Sequence, residues 1–372
     1  MRKISIPTLL LAVWFAVSVI PFALPAYAQD LLPLTGTSPV TQEEKEESPV
    51  STSPPVWDFV RPGERFAPGN LPNTAGPVES ATASVDDASP AFEGPRIEFE
   101  TATLDLRGRI HTRDGGKVSL LSEELGPELW LDLAYIPGGT FVRGSDPHEE
   151  GHRSNELPRS EVTVAPFFLG VYEVTQNQWA AVAELPQVER PLDPDPSYFK
   201  GDERPVEMIS YEDCLEFCAR LAQATGREYR PPTEAEWEYA CRAGTETPFH
   251  FGPTISPEVA NYFSSKEYGA GPTGPYSNET ARVGFYGYAN AFGLFDMHGN
   301  VWEWCADFWH ADYSGAPLDG SAWVTGGDPM QRVQRGGGWR NFAMDLRSAS
   351  RKPLSPKLRY NLLGFRVALS EP

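Results

Sequence analysis

The 372 residues carry a formal charge of −20, with 40% apolar and 12% aromatic side chains. That is enough apolar mass for one large domain or two ordinary ones. The acidity argues against nucleic acid as a partner and suits calcium or a basic ligand.

The chain opens as secretory signals do. Arg2 and Lys3 precede an apolar run from Ile4 to Ile20, followed by Pro21, Pro25 and the small-x-small site Ala26-Tyr27-Ala28. Cleavage after residue 28 predicts a secreted or periplasmic protein, and the two prolines weigh against an uncleaved anchor. No later segment is long enough to span a membrane. Residues 29–96 hold 11 prolines among Ser, Thr, Glu and Gly, with few aromatics, which predicts a disordered tether. Residues 97–129 alternate apolar and polar side chains (Leu104, Leu106, Ile110), which predicts short strands with a turn at Gly115-Gly116.

The main domain is expected over residues 130–370. It begins with WLDLAYIPGGTFVRGS, a predicted hairpin broken at Pro137-Gly138-Gly139, and EVTVAPFFLGVYEVT predicts a second strand pair. Thr175 is placed to cap a helix through Gln178, Trp179 and Val182. Ser210 caps the next, with Leu215, Cys218 and Leu221 on one face and Gly226 at its end. Thr233 and Glu236 form a capping box ahead of Trp237 and Tyr239. After Gly244 periodicity fades, so long loops are expected, pinned by cations, buried arginines and tryptophan packing. Cys214, Cys218, Cys241 and Cys305 are an even number in an oxidising compartment. Cys214 and Cys218 sit one helical turn apart, a poor bridging geometry, so a bridge from Cys241 to either Cys305 or Cys218 is the better expectation. Closely spaced pairs for zinc are absent from the sequence.

The stretch GLFDMHGNVWEWCADFW, residues 293–309, fits neither helical nor strand periodicity. Asp296 and Glu303 offer carboxylates, Gly299-Asn300 lets the backbone fold back, and Trp302, Trp304 and Trp309 are expected to wall the loop. This is the oxygen-only setting a hard cation selects.

Together IPGGTFVRGS, YEVTQNQW, RPPTEAEWEYACRAGT, GLFDMHGNVWEW, RVQRGGGW and LGFRVAL resemble the formylglycine-generating enzyme, or sulfatase-modifying factor, family in order and spacing. The resemblance runs from Trp130 to Leu369 and implies a C-type-lectin-like α+β fold, poor in regular structure and stabilised by calcium. It implies calcium ligands at Asp296 and Glu303 (side chains) and at Gly299 and Val301 (carbonyls), with Asp296 where an asparagine is usual. A second site would begin at Asn261 and the Tyr262 carbonyl. It also implies a copper-binding cysteine pair after the turn Arg335-Gly336-Gly337-Gly338-Trp339-Arg340-Asn341. There the pattern departs: Gly338 replaces a serine, Asn341 stands at the first cysteine, and no cysteine follows Cys305. A neutral amide is no substitute for a thiolate at Cu(I), so copper and the oxidase mechanism are expected to be absent. The related sulfoxide synthases carry iron on histidines of an added helical domain. Here His148 and His152, in an acidic loop, read as a solvated pair.

Between Arg332 and Arg366 lie nine basic residues and one acid, Asp345. Arg340, Arg347, Arg351, Lys352, Lys357 and Arg359 interleave with Trp339, Phe342, Tyr360 and Phe365, a mix that can grip a peptide, a carboxylate or an anionic glycan. Arg335, Arg351 and Arg366 read instead as framework. The expectation is a secreted recognition module binding an extended peptide or protein in an enzyme-derived groove, through Trp339, Arg340, Asn341, Phe342 and Tyr360. The alternatives are a divergent oxidase acting on protein cysteines, and a cell-surface carbohydrate-binding or scaffold domain. Trp339 is expected to touch ligand without supporting the core.

Overall fold

The structure, a computed structural model, describes residues 92–370. The expected signal at 1–28 and nearly all of the expected tether lie outside the described residues. Strands β1 (Arg96–Leu104) and β2 (Ile110–Gly126) form an antiparallel hairpin. Its turn is made by Asp105, whose Oδ1 accepts from the Arg107 and Arg109 amides at 2.9 and 3.0 Å. Gly115-Gly116 is therefore not the turn. These glycines lie inside β2 opposite Glu100 and Phe99, and a Cβ on Gly116 would come within 2.2 Å of the Phe99 ring. The glycine marks room for an aromatic ring.

Next come β3 (Leu129–Ile136), β4 (Gly139–Arg143), β5 (Ser160–Val164) and β6 (Phe167–Gly170). All four occupy expected strand positions, but the expected hairpin does not form and the second pair of strands, β5 and β6, are not partners of each other. Strand β3 pairs with β2 and β6, while β4 pairs with β5. Pro137-Gly138 and Ala165-Pro166 carry the chain from one sheet to another, because a proline break reads alike for a hairpin and for a change of sheet.

Three helices follow the predicted caps. Helix α1 (Gln176–Ala183) starts at Thr175, α2 (Tyr211–Thr225) at Ser210 and α3 (Glu234–Arg242) at Thr233, each with a reciprocal capping box. Gly226 ends α2 with φ 76°. Leu215 is not on the buried face of α2: it is 42% exposed, and Cys214, Phe217, Cys218 and Leu221 carry the packing.

The remaining strands are β7 (Tyr229–Arg230), β8 (Tyr288–Ala289), β9 (Trp302–Trp309), β10 (Asp328–Arg335), β11 (Lys352–Leu354), β12 (Leu363–Gly364) and β13 (Ala368–Ser370). A seven-stranded sheet runs β7-β13-β6-β3-β2-β1-β8, and a four-stranded sheet runs β11-β10-β9-β12. Half of the 293–309 stretch is thus strand. Alternation along β9 sends Trp302 and Trp304 into one core with Trp179, Phe217 and Phe365, and Cys305 into another with Trp237 and Met297. The three tryptophans part company instead of walling one loop. No helix among the described residues is long and apolar enough to cross a membrane.

Candidate functional site

Asn341 is the keystone of the turn that follows β10. Its Oδ1 accepts from Trp302 Nε1 at 2.8 Å and from the Gly338 amide at 3.0 Å. Its Nδ2 donates to Asp345 Oδ2 at 3.2 Å, and its carbonyl accepts from the Phe263 amide at 2.9 Å. The expected ligand-binding amide is therefore spent on architecture. Gly338 lies close to Leu362: a Cβ there would sit 2.8 Å from Leu362 Cδ2, and that side chain would have to give way.

Trp339 is interior, contrary to expectation. It is 4% exposed, its Nε1 donates to the Asn361 carbonyl at 2.9 Å, and Phe199 packs edge-on at 5.4 Å. Tyr360 is half-buried, with its phenol donating to Gln334 Oε1 at 2.7 Å and its pKa raised by desolvation. Among the expected ligand residues, Arg340 and Phe342 stay exposed. Two aromatic rows meet at their turn. One is Tyr198, Phe199 and Trp339; the other is Phe342, Phe263 and Tyr276, with neighbouring centroids 4.5–5.4 Å apart across both rows.

The basic segment is mostly internal framework. Arg335, Arg347, Arg351 and Arg366 are fully buried. Arg335 Nη2 reaches Glu238 at 2.7 Å, Arg351 grips Glu234 through two 2.7 Å bonds, and Arg347 ties Glu149 and Glu156 of the acidic loop. Lys352 pairs with Asp345 at 2.9 Å and Arg359 with Asp213 at 2.7 Å. The framework reading thus extends to Arg347. The 146–156 loop keeps His148 exposed but is docked at its far end: Glu156 is fully buried, and Ser145 Oγ bonds both His152 Nδ1 and Glu156. Serine bridges histidine and carboxylate here, which is the wrong order for a nucleophilic relay.

In the 296–300 loop, Asp296, Gly299 and Asn300 all have positive φ, and a Cβ on Gly299 would lie 2.4 Å from the Asn261 carbonyl oxygen. Arg366 grips Glu303 through Nε–Oε2 at 2.7 Å and Nη2–Oε1 at 2.8 Å, and Trp237 Nε1 donates to Oε2 at 2.8 Å. Asp296 Oδ2 accepts from the Gly284 amide at 2.6 Å. A third carboxylate escaped the sequence reading. Glu173 is fully buried, accepts from Asn300 Nδ2 at 2.6 Å and the Val301 amide at 3.2 Å, and shares the field of Asp296, Glu303 and Arg366. A lone acid inside the apolar run VYEVT was the available signal.

Three carboxylates around one guanidinium leave negative charge unbalanced in a buried place. Desolvation and mutual repulsion push Glu173 well above the usual carboxylate range, and desolvation lifts Asp296 to about 6. Among the described residues no three His, Cys, Asp or Glu side chains gather closely enough to hold a metal ion, so a hard cation here would depend on backbone carbonyls beside these carboxylates. Glu303 is already paired with Arg366, so Glu173 and Asp296 carry the surplus.

The side chains of the second set are engaged within the protein. Asn261 Oδ1 accepts from Ser277 at 2.8 Å, its Nδ2 donates to the Glu279 carbonyl and Asn300 Oδ1, and Tyr262 is buried with its hydroxyl toward the Ile255 carbonyl. The four cysteines are unbridged, which corrects the disulfide expectation. Cys241 Sγ lies instead 3.6 Å from Ser348 Oγ and 3.8 Å from His298 Nε2. Burial lifts Cys218 and Cys241 to about 12 and pushes Cys214 and Cys305 well above the usual thiol range, so all four are neutral thiols.

Residues 128–371 match the model of the sulfatase-modifying factor enzyme 1-like domain. The chain belongs to this family. The PvdO structure from Pseudomonas aeruginosa shares 34% identity and a TM-score of 0.58, covering 68% of this chain and 98% of that one, and the C-type-lectin-like fold expected for the family is present. The bovine inactive Cα-formylglycine-generating enzyme 2 is 30% identical over 308 residues, 68% of this chain and 93% of that protein. Serine/threonine-protein kinase Pkn1 of Chlamydia trachomatis is 28% identical over 361 residues, 89% of this chain and 54% of that protein. This sulfatase-modifying-factor chain therefore spans about half the length of that relative.

Proposed function

We propose that this family member is a secreted recognition module, without oxidase activity, that binds an extended peptide or protein segment along the groove at the 339–342 turn. The observation that carries the reading is the commitment of Asn341. At the position of the family's first copper-binding cysteine stands an amide whose oxygen and nitrogen both hold the turn together. The four thiols are buried and neutral, and so supply no thiolate donor. What the turn presents outward is Arg340 and Phe342, flanked by aromatic rows that suit an extended backbone.

In this reading a calcium ion sits at the 296–303 loop, held by Asp296, Glu173 and the carbonyls of Gly299 and Val301, with Glu303 shared with Arg366. The ion supplies fixed positive charge against surplus carboxylate. Around it Asn300 orders the loop, linking Glu173, Asn261 and Ala281.

The test panels a peptide-display library on the purified protein and on the double variant Arg340→Ala/Phe342→Ala. Enrichment of peptides that bind the native chain and not the variant is the expected result. A parallel incubation with Cu(I), oxygen and a sulfatase-type cysteine peptide, followed by mass spectrometry, is expected to yield no aldehyde. Turnover abolished by chelation would reverse the proposal in favour of the divergent oxidase.

A further inference from the structure

We infer that Glu207 is a proton-operated latch on the Tyr198–Phe199 lip of the groove, holding the lip closed when its carboxyl is neutral and releasing it when ionised. The inference rests on the groove reading for its consequence, but not for its geometry.

Glu207 is fully buried between two fixed neighbours. The Val206 amide donates to the Val174 carbonyl at 2.8 Å and the Met208 amide to the Tyr360 carbonyl at 3.2 Å. Met208 has φ 62°, a left-handed conformation that non-glycine residues adopt only when their surroundings enforce it. From this fixed base the carboxyl reaches the lip: Oε1 accepts from the Phe199 amide at 2.7 Å, and Ser197 Oγ accepts from the Glu207 amide at 3.1 Å. Oε2 is buried without a hydrogen-bond partner.

No ion pair reaches Glu207 among the described residues. The charged group whose field favours its ionised form is Lys200, and the Lys200 ammonium is bound to Asp195 at 2.6 Å. The Tyr198 and Phe199 amides also favour the ionised form, while on the far side Tyr360 turns its phenol to Gln334. Desolvation outweighs these and lifts the carboxyl to about 7.

An ionised carboxyl here is a buried charge with one bare oxygen, and exposing it to water removes the penalty. Backbone hydrogen bonds to Val174 and Tyr360 hold the 206–208 side, while the surface loop, where Asp195, Tyr198 and Lys200 are exposed, is tied to α1 by the rotatable Gln176 side chain, which donates to the Phe199 carbonyl at 2.7 Å and accepts from the Gly201 amide at 3.1 Å, so the loop is the more movable side. Its release withdraws Phe199 from the edge of Trp339 and widens the groove. The closed lip therefore weakens relative to the open one as pH rises and the buried carboxyl loses its proton.

Hydrogen exchange of the Phe199 amide, corrected for intrinsic rate, tests this on the full chain without any ligand. Protection in the native protein is expected to fall on the order of tenfold between pH 6 and 8.5. Glu207→Gln, which keeps the acceptor and cannot ionise, is expected to show a flat profile. Lys200→Met is expected to move the native transition to higher pH. Amides of α2 serve as the control for global opening. Parallel profiles in native protein and Glu207→Gln, or a transition unmoved in Lys200→Met, overturn the latch. A normal latch with no peptide enrichment overturns the groove reading alone.

Discussion

Two parts of the C-terminal third are built from the same residue types and do opposite things. The framework arginines Arg335, Arg347, Arg351 and Arg366 are fully buried against Glu234, Glu238, Glu156 and Glu303. The 339–342 turn, a few residues away in sequence, leaves Arg340 and Phe342 exposed above a buried tryptophan. The difference teaches that an arginine-aromatic cluster becomes a pin or a surface according to whether acids meet it inside the same chain. Here acids from α3 and the 146–156 loop meet most of it. Buried charge then stabilises the loops by pairing, and removing one partner strands the other.

The comparison breaks most visibly at Arg335. Arg335→Ala strips Glu238 Oε2 of its guanidinium partner, leaving Glu238 to Arg242 and Glu234 to Arg351, with an expected loss of about 3–5 kcal/mol by denaturant unfolding. Trp339→Ala is expected to cost a similar ~3–5 kcal/mol, because it empties a buried site under the turn. An unchanged midpoint would return Trp339 to the ligand face.

Next is the acidic loop. Calcium at a hundredfold excess over its dissociation constant is expected to raise stability by about 2.7 kcal/mol, read as a midpoint rising with free calcium. The pH dependence has a definite sign. Glu173 and Asp296 have folded pKa values raised above their unfolded ones, so the native state holds more protons than the unfolded state through the window from about 4 to beyond 6. Without calcium, their stabilisation is present below that window and lost as pH rises through it. Calcium is expected to flatten this fall, and a slope equal with and without the ion would remove it from the loop. His298, lowered by burial to about 4, works oppositely, losing stability as pH falls from 6.5 toward 4. The smallest effect on stability belongs to Arg340→Ala, which is expected to leave the thermal midpoint in place while abolishing peptide enrichment.

Much of this was legible from local chemistry. The capping boxes at Thr175, Ser210 and Thr233 place three helices because cap and helix lie within four residues of each other. The family motifs carry the fold, and Arg335, Arg351 and Arg366 were readable as framework. The misreadings share a cause. Gly115-Gly116 and Pro137-Gly138 announce a local break without saying which distant strand the chain meets next, and Leu215 obeys helical spacing yet lies at the margin of the buried face. Asn341 and Trp339 sat where a ligand contact was expected, and their partners Trp302, Phe199 and Asn361 are 20 or more residues away.

The sequence by itself determined the family, the helix starts, the loss of the cysteine pair and the acids of the 296–303 loop, since each is written in contiguous residues. Tertiary structure alone decided that Arg347 is a pin as well, that Glu173 joins the 296–303 loop, and that Glu207 is buried with an oxygen unpaired. Burial and pairing arise when distant segments exclude water from a shared volume, and no local pattern records which segments those are.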